Sequence, residues 1–159
     1  MLNLHEKAVY DWNTVLFVGM GNRIRSDDGI GIYIAEKIKL FRSKNVIIAE
    51  NSIENYIGKI NAHPSDCVVI IDAVDQGKQA GYYALLPITE IKNTTANTHV
   101  ISLDTISSFL TASLQWVLAI QPKDVSIGFK ISTSLKKTGD RVADEIISKI
   151  SKQLKPIAL

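Results

Sequence analysis

Cysteine is almost missing: of 159 residues only Cys67 is one. No disulfide can form within the chain, which fits a reducing compartment. Cys67 lies inside the apolar run CVVIID, where a thiol serves as a small hydrophobe and not as a nucleophile. A long apolar run is also lacking, since none approaches the roughly 18 residues of a membrane span. The amino-terminal MLNLHEKAVYDWN carries charges where a signal peptide needs an apolar core. An excess of one charge is lacking as well. The chain has 18 Lys plus Arg against 16 Asp plus Glu, a net of +2, too small to argue for nucleic acid or an anionic membrane as partner. Two hydrolase signatures are absent: the Gly-x-Ser-x-Gly elbow of serine hydrolases and the His-Glu-x-x-His of zincins. What is left is a soluble cytoplasmic protein with no nucleic-acid or membrane partner, expected to be monomeric. Its 46% hydrophobic and 21% charged residues are ordinary for a globular chain, and the length suits a single domain over 1–159. Such a domain buries about two-thirds of its surface.

No repeat, low-complexity tract or long linker interrupts the sequence. Short β-rich runs at Thr14–Gly19, Asn45–Ala49, Cys67–Val74 and Gln115–Gln121 read as strands buried on both faces. Gly81–Pro87 reads as a further strand at an edge, and Asp124–Lys130 as one more. Between them, Ile30, Tyr33, Ile34, Ile38 and Phe41 recur at three- and four-residue spacing and predict a helix over Asp28–Phe41. A short helix is expected in the segment IENYIGKIN, ended by His63-Pro64. Another is expected over Ser102–Leu110, and a last one over Leu135–Leu154 with Ala143, Ile146, Ile147, Ile150 and Leu154 on one face. Strands alternating with helices predict an α/β fold of three α/β/α layers, with a five- or six-stranded, mostly parallel sheet. The site of such a fold lies at the carboxyl ends of its strands.

The run FVGMGNRIRSDDGIGIYIAE, Phe17–Glu36, ends a strand in Gly-x-Gly-Asn and then sets Asp27 and Asp28 at the mouth of a helix. A phosphate-binding loop also places glycines there. Here Ile24 occupies the third glycine of Gly-x-Gly-x-x-Gly, no Gly-Lys-Ser/Thr follows, and two carboxylates would repel a pyrophosphate. They favour a cation, or a helix cap in which Asp27 caps or orients while Asp28 faces the site. Asp72 ends the run CVVIID, at the carboxyl edge of a strand expected to neighbour the first. Asp28 and Asp72 therefore converge on one crevice, and Asp75, three residues further on, faces solvent. His99, in NTTANTHV, can complete an Asp/Asp/His site if its loop returns over that edge, whereas His5 and His63 read as surface residues. Two oxygens and an imidazole suit a first-row divalent metal with open positions, able to polarise a carbonyl or activate water.

These blocks resemble those of the hydrogenase maturation endopeptidases. GMGNRIRSDDGIG is similar to that family's Gly-x-Gly-Asn-x-x-x-x-Asp-Asp/Glu-Gly-x-Gly signature. VVIIDAVDQGKQAGYYALL resembles its second block and THVISL its third, and the likeness runs in family order from Val15 to Leu154. AIQP and Glu54-Asn55 resemble the branch that processes formate-hydrogenlyase-type hydrogenases. The resemblance implies an endopeptidase that removes a C-terminal extension from the nickel-loaded large-subunit precursor of a nickel-iron hydrogenase. It implies nickel contact, and with it catalysis, at Asp28, Asp72 and His99, the nickel belonging to the substrate and the free enzyme holding none. Two rivals from another class stay open on the residues alone, a non-catalytic checkpoint that recognises the loaded precursor and a nucleotide-binding module. The sequence departs from the family pattern in two turns. Ile48-Ala49-Glu50-Asn51 replaces an Asp-Gly-Gly-Thr-like turn, and Ala80-Gly81 replaces Pro-Gly.

Overall fold

The computed structural model describes residues 11–91 and 101–154. The elements follow in the order β1 (Leu16–Met20), α1 (Ile30–Phe41), β2 (Val46–Glu50), α2 (Ile57–Asn61), β3 (Cys67–Ala73), β4 (Tyr83–Pro87), α3 (Leu103–Phe109), β5 (Leu114–Ile120) and α4 (Thr133–Leu154). One five-stranded sheet runs β2-β1-β3-β5-β4. Its first four strands are parallel, and β4 is antiparallel to β5, with Tyr83 opposite Ile120 and Pro87 opposite Trp116. β4 thus lies at an edge, as expected, and Pro87 sits where a missing N–H costs the ladder little.

The continuous apolar runs become the central strands because both faces of the sheet are covered. Alternate residues part into two cores. Phe17, Val69, Ile71 and Leu118 face α1 and α4, while Leu16, Val18, Val68 and Ile70 face α2 and α3. α1 turns Ile30, Ile34 and Ile38, one per turn, into the first core. α4 adds Leu135, Val142, Ala143, Ile146 and Ile150, and Trp12 stacks on Phe17 with ring centroids 6.3 Å apart. Each fully buried isoleucine stabilises by about 2 kcal/mol relative to an exposed one. α3 starts as its sequence suggests: the Ser102 hydroxyl accepts from Thr105 N–H at 3.2 Å. At the other end of α3, the Asn61 side chain bonds the Phe109 carbonyl and the Thr111 N–H, which ties the helix end to the chain just before β3.

Two expectations need correction. Asp124–Lys130 forms no strand. Its backbone meets the 22–28 segment, with one parallel bridge between Arg25 and Gly128, and the sheet stays at five strands. The reason is that a side-chain carboxylate and a neighbouring loop, not a sheet edge, take its N–H groups. The start of the first helix is also different: Ser26–Gly29 is a 3-10 turn, and α1 has no side-chain cap.

Candidate active site at the carboxyl edge

β1 leads through α1 to β2 on one side, and β3 lies on β1's other side. This reversal opens the crevice beyond the carboxyl ends of β1 and β3. Gly31, in the first turn of α1, is what closes the distance. A Cβ there would collide with the carbonyl oxygens of Ile71 and Met20. Only glycine lets the helix start against the ends of both strands, and Ile71 is the residue before Asp72. Gly21 has φ +136°, and a Cβ on it would strike the carbonyl of Asp28. The block's glycines therefore press the Asp28 turn onto the sheet.

Asp28 sits in that 3-10 turn, 2% exposed, with its N–H donated to the Arg25 carbonyl at 3.0 Å. Asp72 is the penultimate residue of β3, opposite Ala119, and is fully buried. The turn packs against β3. Two buried carboxylates thus share one sheet edge, as the strand pattern predicts. Burying them lowers the dielectric around each and strengthens the pull on a cation. His99 and His5 lie outside the described residues. Among the described residues no three His, Cys, Asp or Glu side chains gather as a metal site. Ile101, two residues after His99 in the sequence, packs against the α2/α3 core.

Of the two parts expected for Asp27, capping the first helix is not one it plays: it is fully buried and α1 has no side-chain cap. Its Oδ2 accepts from the N–H groups of Lys123 and Asp124, each at 3.0 Å, and from the Ser132 hydroxyl at 3.0 Å. Its Oδ1 accepts from Ser132 N–H at 2.6 Å. The carboxylate pins both ends of the segment between β5 and α4 to the turn that carries Asp28. Adjacent acids at a turn were the visible signal, but the partners lie about a hundred positions away and leave no local mark.

A family model for hydrogenase maturation proteases matches residues 32–149. The chain belongs to this family. A Methanocaldococcus jannaschii protein assigned to the hydrogenase maturation proteases is 27% identical over 146 residues, covering 84% of this chain and 86% of that one. The crystal structure of the [NiFe] hydrogenase maturation protease HycI from Thermococcus kodakarensis superposes with a TM-score of 0.76 at 26% identity, over 87% of this chain and 93% of that one. The solution structure of the Escherichia coli endopeptidase HycI shares the fold, with a TM-score of 0.73 at 24% identity, over 85% of this chain and 90% of that one.

Within this maturation protease, the two divergent turns are both built. Glu50 takes φ +53°, a left-handed conformation that glycine adopts more readily, at the place where the family pattern has one. Its carbonyl accepts from Gly21 N–H at 3.0 Å, and its carboxylate accepts from Arg23 Nε at 3.1 Å. Arg23 also pairs with Glu36 at 2.7 Å. On the other side, Gln121 of the AIQP run organises the turn after β3. Its side-chain Oε1 accepts from Gln76 N–H at 2.6 Å and Lys78 N–H at 3.1 Å, and its Nε2 donates to Asp75 Oδ1 at 3.1 Å. Asp75 is exposed, as expected, and its carboxyl is held below the usual carboxylate range by Gly77 N–H and Gln121. His63 precedes β3 at the amino edge, with Nε2 3.2 Å from the Lys44 carbonyl, and is no neighbour of Asp72.

Proposed function

We propose that this maturation protease removes a C-terminal extension from the large-subunit precursor of a nickel-iron hydrogenase, with Asp28, Asp72 and His99 gripping the nickel that the substrate itself carries. The seating of Gly31 on the Ile71 and Met20 carbonyls carries this reading, because it brings two buried carboxylates to the strand-order reversal. Family membership supports proteolysis and the hydrogenase as its setting. The finer assignment, to formate-hydrogenlyase-type hydrogenases, rests on Glu54-Asn55 and the Ala119–Pro122 run.

Peptide hydrolysis needs water delivered to the scissile carbonyl carbon, charge stabilised on its oxygen, and a proton returned to the leaving amine. The substrate's nickel, held at the edge, polarises the carbonyl or positions the water. Asp28 and Asp72 bind and orient that nickel, and either can accept a proton from the water. Cys67 takes no part. Burial pushes its thiol up to about 11, and it sits at the amino end of β3, about 17 Å along the strand from Asp72. Among the described residues no helix is long and apolar enough to cross a membrane; the enzyme is proposed to act in the cytoplasm as a monomer.

The test is incubation with nickel-loaded and nickel-free precursor, followed by mass measurement of the precursor's C-terminus. Only the loaded precursor should be shortened. Efficient cutting of the nickel-free form would remove nickel from the mechanism and leave a carboxylate as general base.

A further inference from the structure

Ile127 and Phe129 stand 86% and 84% exposed at the tip of the segment between β5 and α4, beside Ile24 at 51%. Single exposed apolar residues are ordinary. Three on two segments fastened to each other form a patch. The fastening is extensive. Ser26 N–H bonds the Gly128 carbonyl at 2.8 Å, Gly128 N–H bonds the Ile24 carbonyl at 3.0 Å, and Ser26 Oγ bonds the Ser126 carbonyl at 3.0 Å. Arg25 Nε bonds the Val125 carbonyl at 3.1 Å, and Asp27 holds the base. Ser26 adopts φ +48° to make these contacts, and a side chain on Gly128 would meet the Ser26 hydroxyl. Strain and a buried carboxylate are thus spent on holding a tip whose side chains touch little of the protein.

We propose that Ile127, Phe129 and Ile24 are the anchor on which the hydrogenase large-subunit precursor docks through an apolar patch of its own surface. The inference rests on the function proposed above. Continuity is the first argument: the patch is bonded to residues 24–27, and the next residue is Asp28, so a polypeptide that delivers nickel to Asp28 passes beside it. Shape is the second. A cavity of about 240 Å³ between Phe129, Ile131 and Tyr33 of α1, rimmed by Arg23 and Glu36, offers an apolar recess with a polar border. Size is the third. Three side chains bury at most about 200 Å² each, short of the roughly 800 Å² per partner of a stable two-chain interface. They suit an addition to the catalytic crevice better than a dimer contact of their own. A rigid anchor also lowers the ordering cost of binding.

The experiment compares wild type with the double variant Ile127→Ser/Phe129→Ser. Thermal unfolding should be unchanged, because neither side chain is packed. With nickel-loaded precursor, KM should rise about tenfold while kcat stays within about twofold. Calorimetric binding of the same precursor should weaken about tenfold in parallel. The binding measurement stands even if wild type binds the precursor without cutting it, which would sink the proteolytic reading and leave the docking surface intact. Unchanged KM and binding in the double variant would overturn the proposal. So would a wild-type dimer, seen by sedimentation, that falls to monomers in the variant, since the patch would then belong to a second copy.

Discussion

The two ends of the sheet are built differently. At the amino edge, polar groups meet neighbours in ordinary ways: Asn61 joins the ends of α2 and α3 through exposed bonds, His63 touches a carbonyl, and Cys67 is packed as a hydrophobe. At the carboxyl edge lie three buried carboxylates, Asp27, Asp28 and Asp72, together with Gly21, Ser26 and Glu50 at positive φ. Buried charge and strained backbone cost stability, and they persist where surrounding structure holds them. Their concentration at one edge marks that edge as the candidate site.

That contrast is sharpest in function. Asp28→Ala, Asp72→Ala and His99→Ala should each lower precursor processing at least a thousandfold, equivalent to about 4 kcal/mol of barrier. His63→Ala, at the opposite edge, should process almost normally. Equal rates for His99→Ala and wild type with a loaded precursor would remove His99 from the site.

A second way to break the contrast is through packing. Gly31→Ala places a methyl against two backbone carbonyls that cannot step aside, so it should cost about 3 kcal/mol or more. Denaturant unfolding of this variant against wild type measures that cost. A loss below 1 kcal/mol would mean that α1 is not seated as closely on β1 and β3 as described.

Asp27→Ala compared with Asn61→Ala tests the price of loop anchoring at each edge. Asp27 accepts four hydrogen bonds while fully buried, and its loss should cost about 3 kcal/mol. Asn61 makes two exposed bonds, and its loss should cost about 1 kcal/mol. Similar losses in urea unfolding would contradict the asymmetry.

The smallest effect concerns Cys67. Its folded value of about 11 lies above the unfolded value near 9. The contribution to stability is therefore complete below pH 9 and is lost as pH rises toward 11. Cys67→Ala should lack that part of the alkaline decline in unfolding temperature. At pH 8 iodoacetamide should label Cys67 in urea and leave it untouched in the folded protein.

Much of this molecule is written locally. The alternation of buried runs and amphipathic spacing determined a parallel α/β sheet, since strand and helix periods act over a few neighbouring residues. Ser102 marked the start of α3 for the same reason, with its partner three positions on. The placement of Asp28 and Asp72 at one edge was also legible, because strand ends and the handedness of β-α-β crossovers constrain it. His99 falls outside the described residues. Other features waited for the fold. Asp27 at a helix mouth looks like a cap, and nothing nearby distinguishes a cap from a clamp whose partners, Lys123, Asp124 and Ser132, are 96 to 105 positions away. Asp124–Lys130 reads as a strand, yet its backbone partners are a loop that only the closed structure brings alongside. β4 precedes β5 in the chain but sits outside it, running the other way. Local periodicity determines which segments are buried. Which distant groups satisfy one another's hydrogen bonds is decided only when the chain has closed, because that depends on contacts no short stretch of sequence contains.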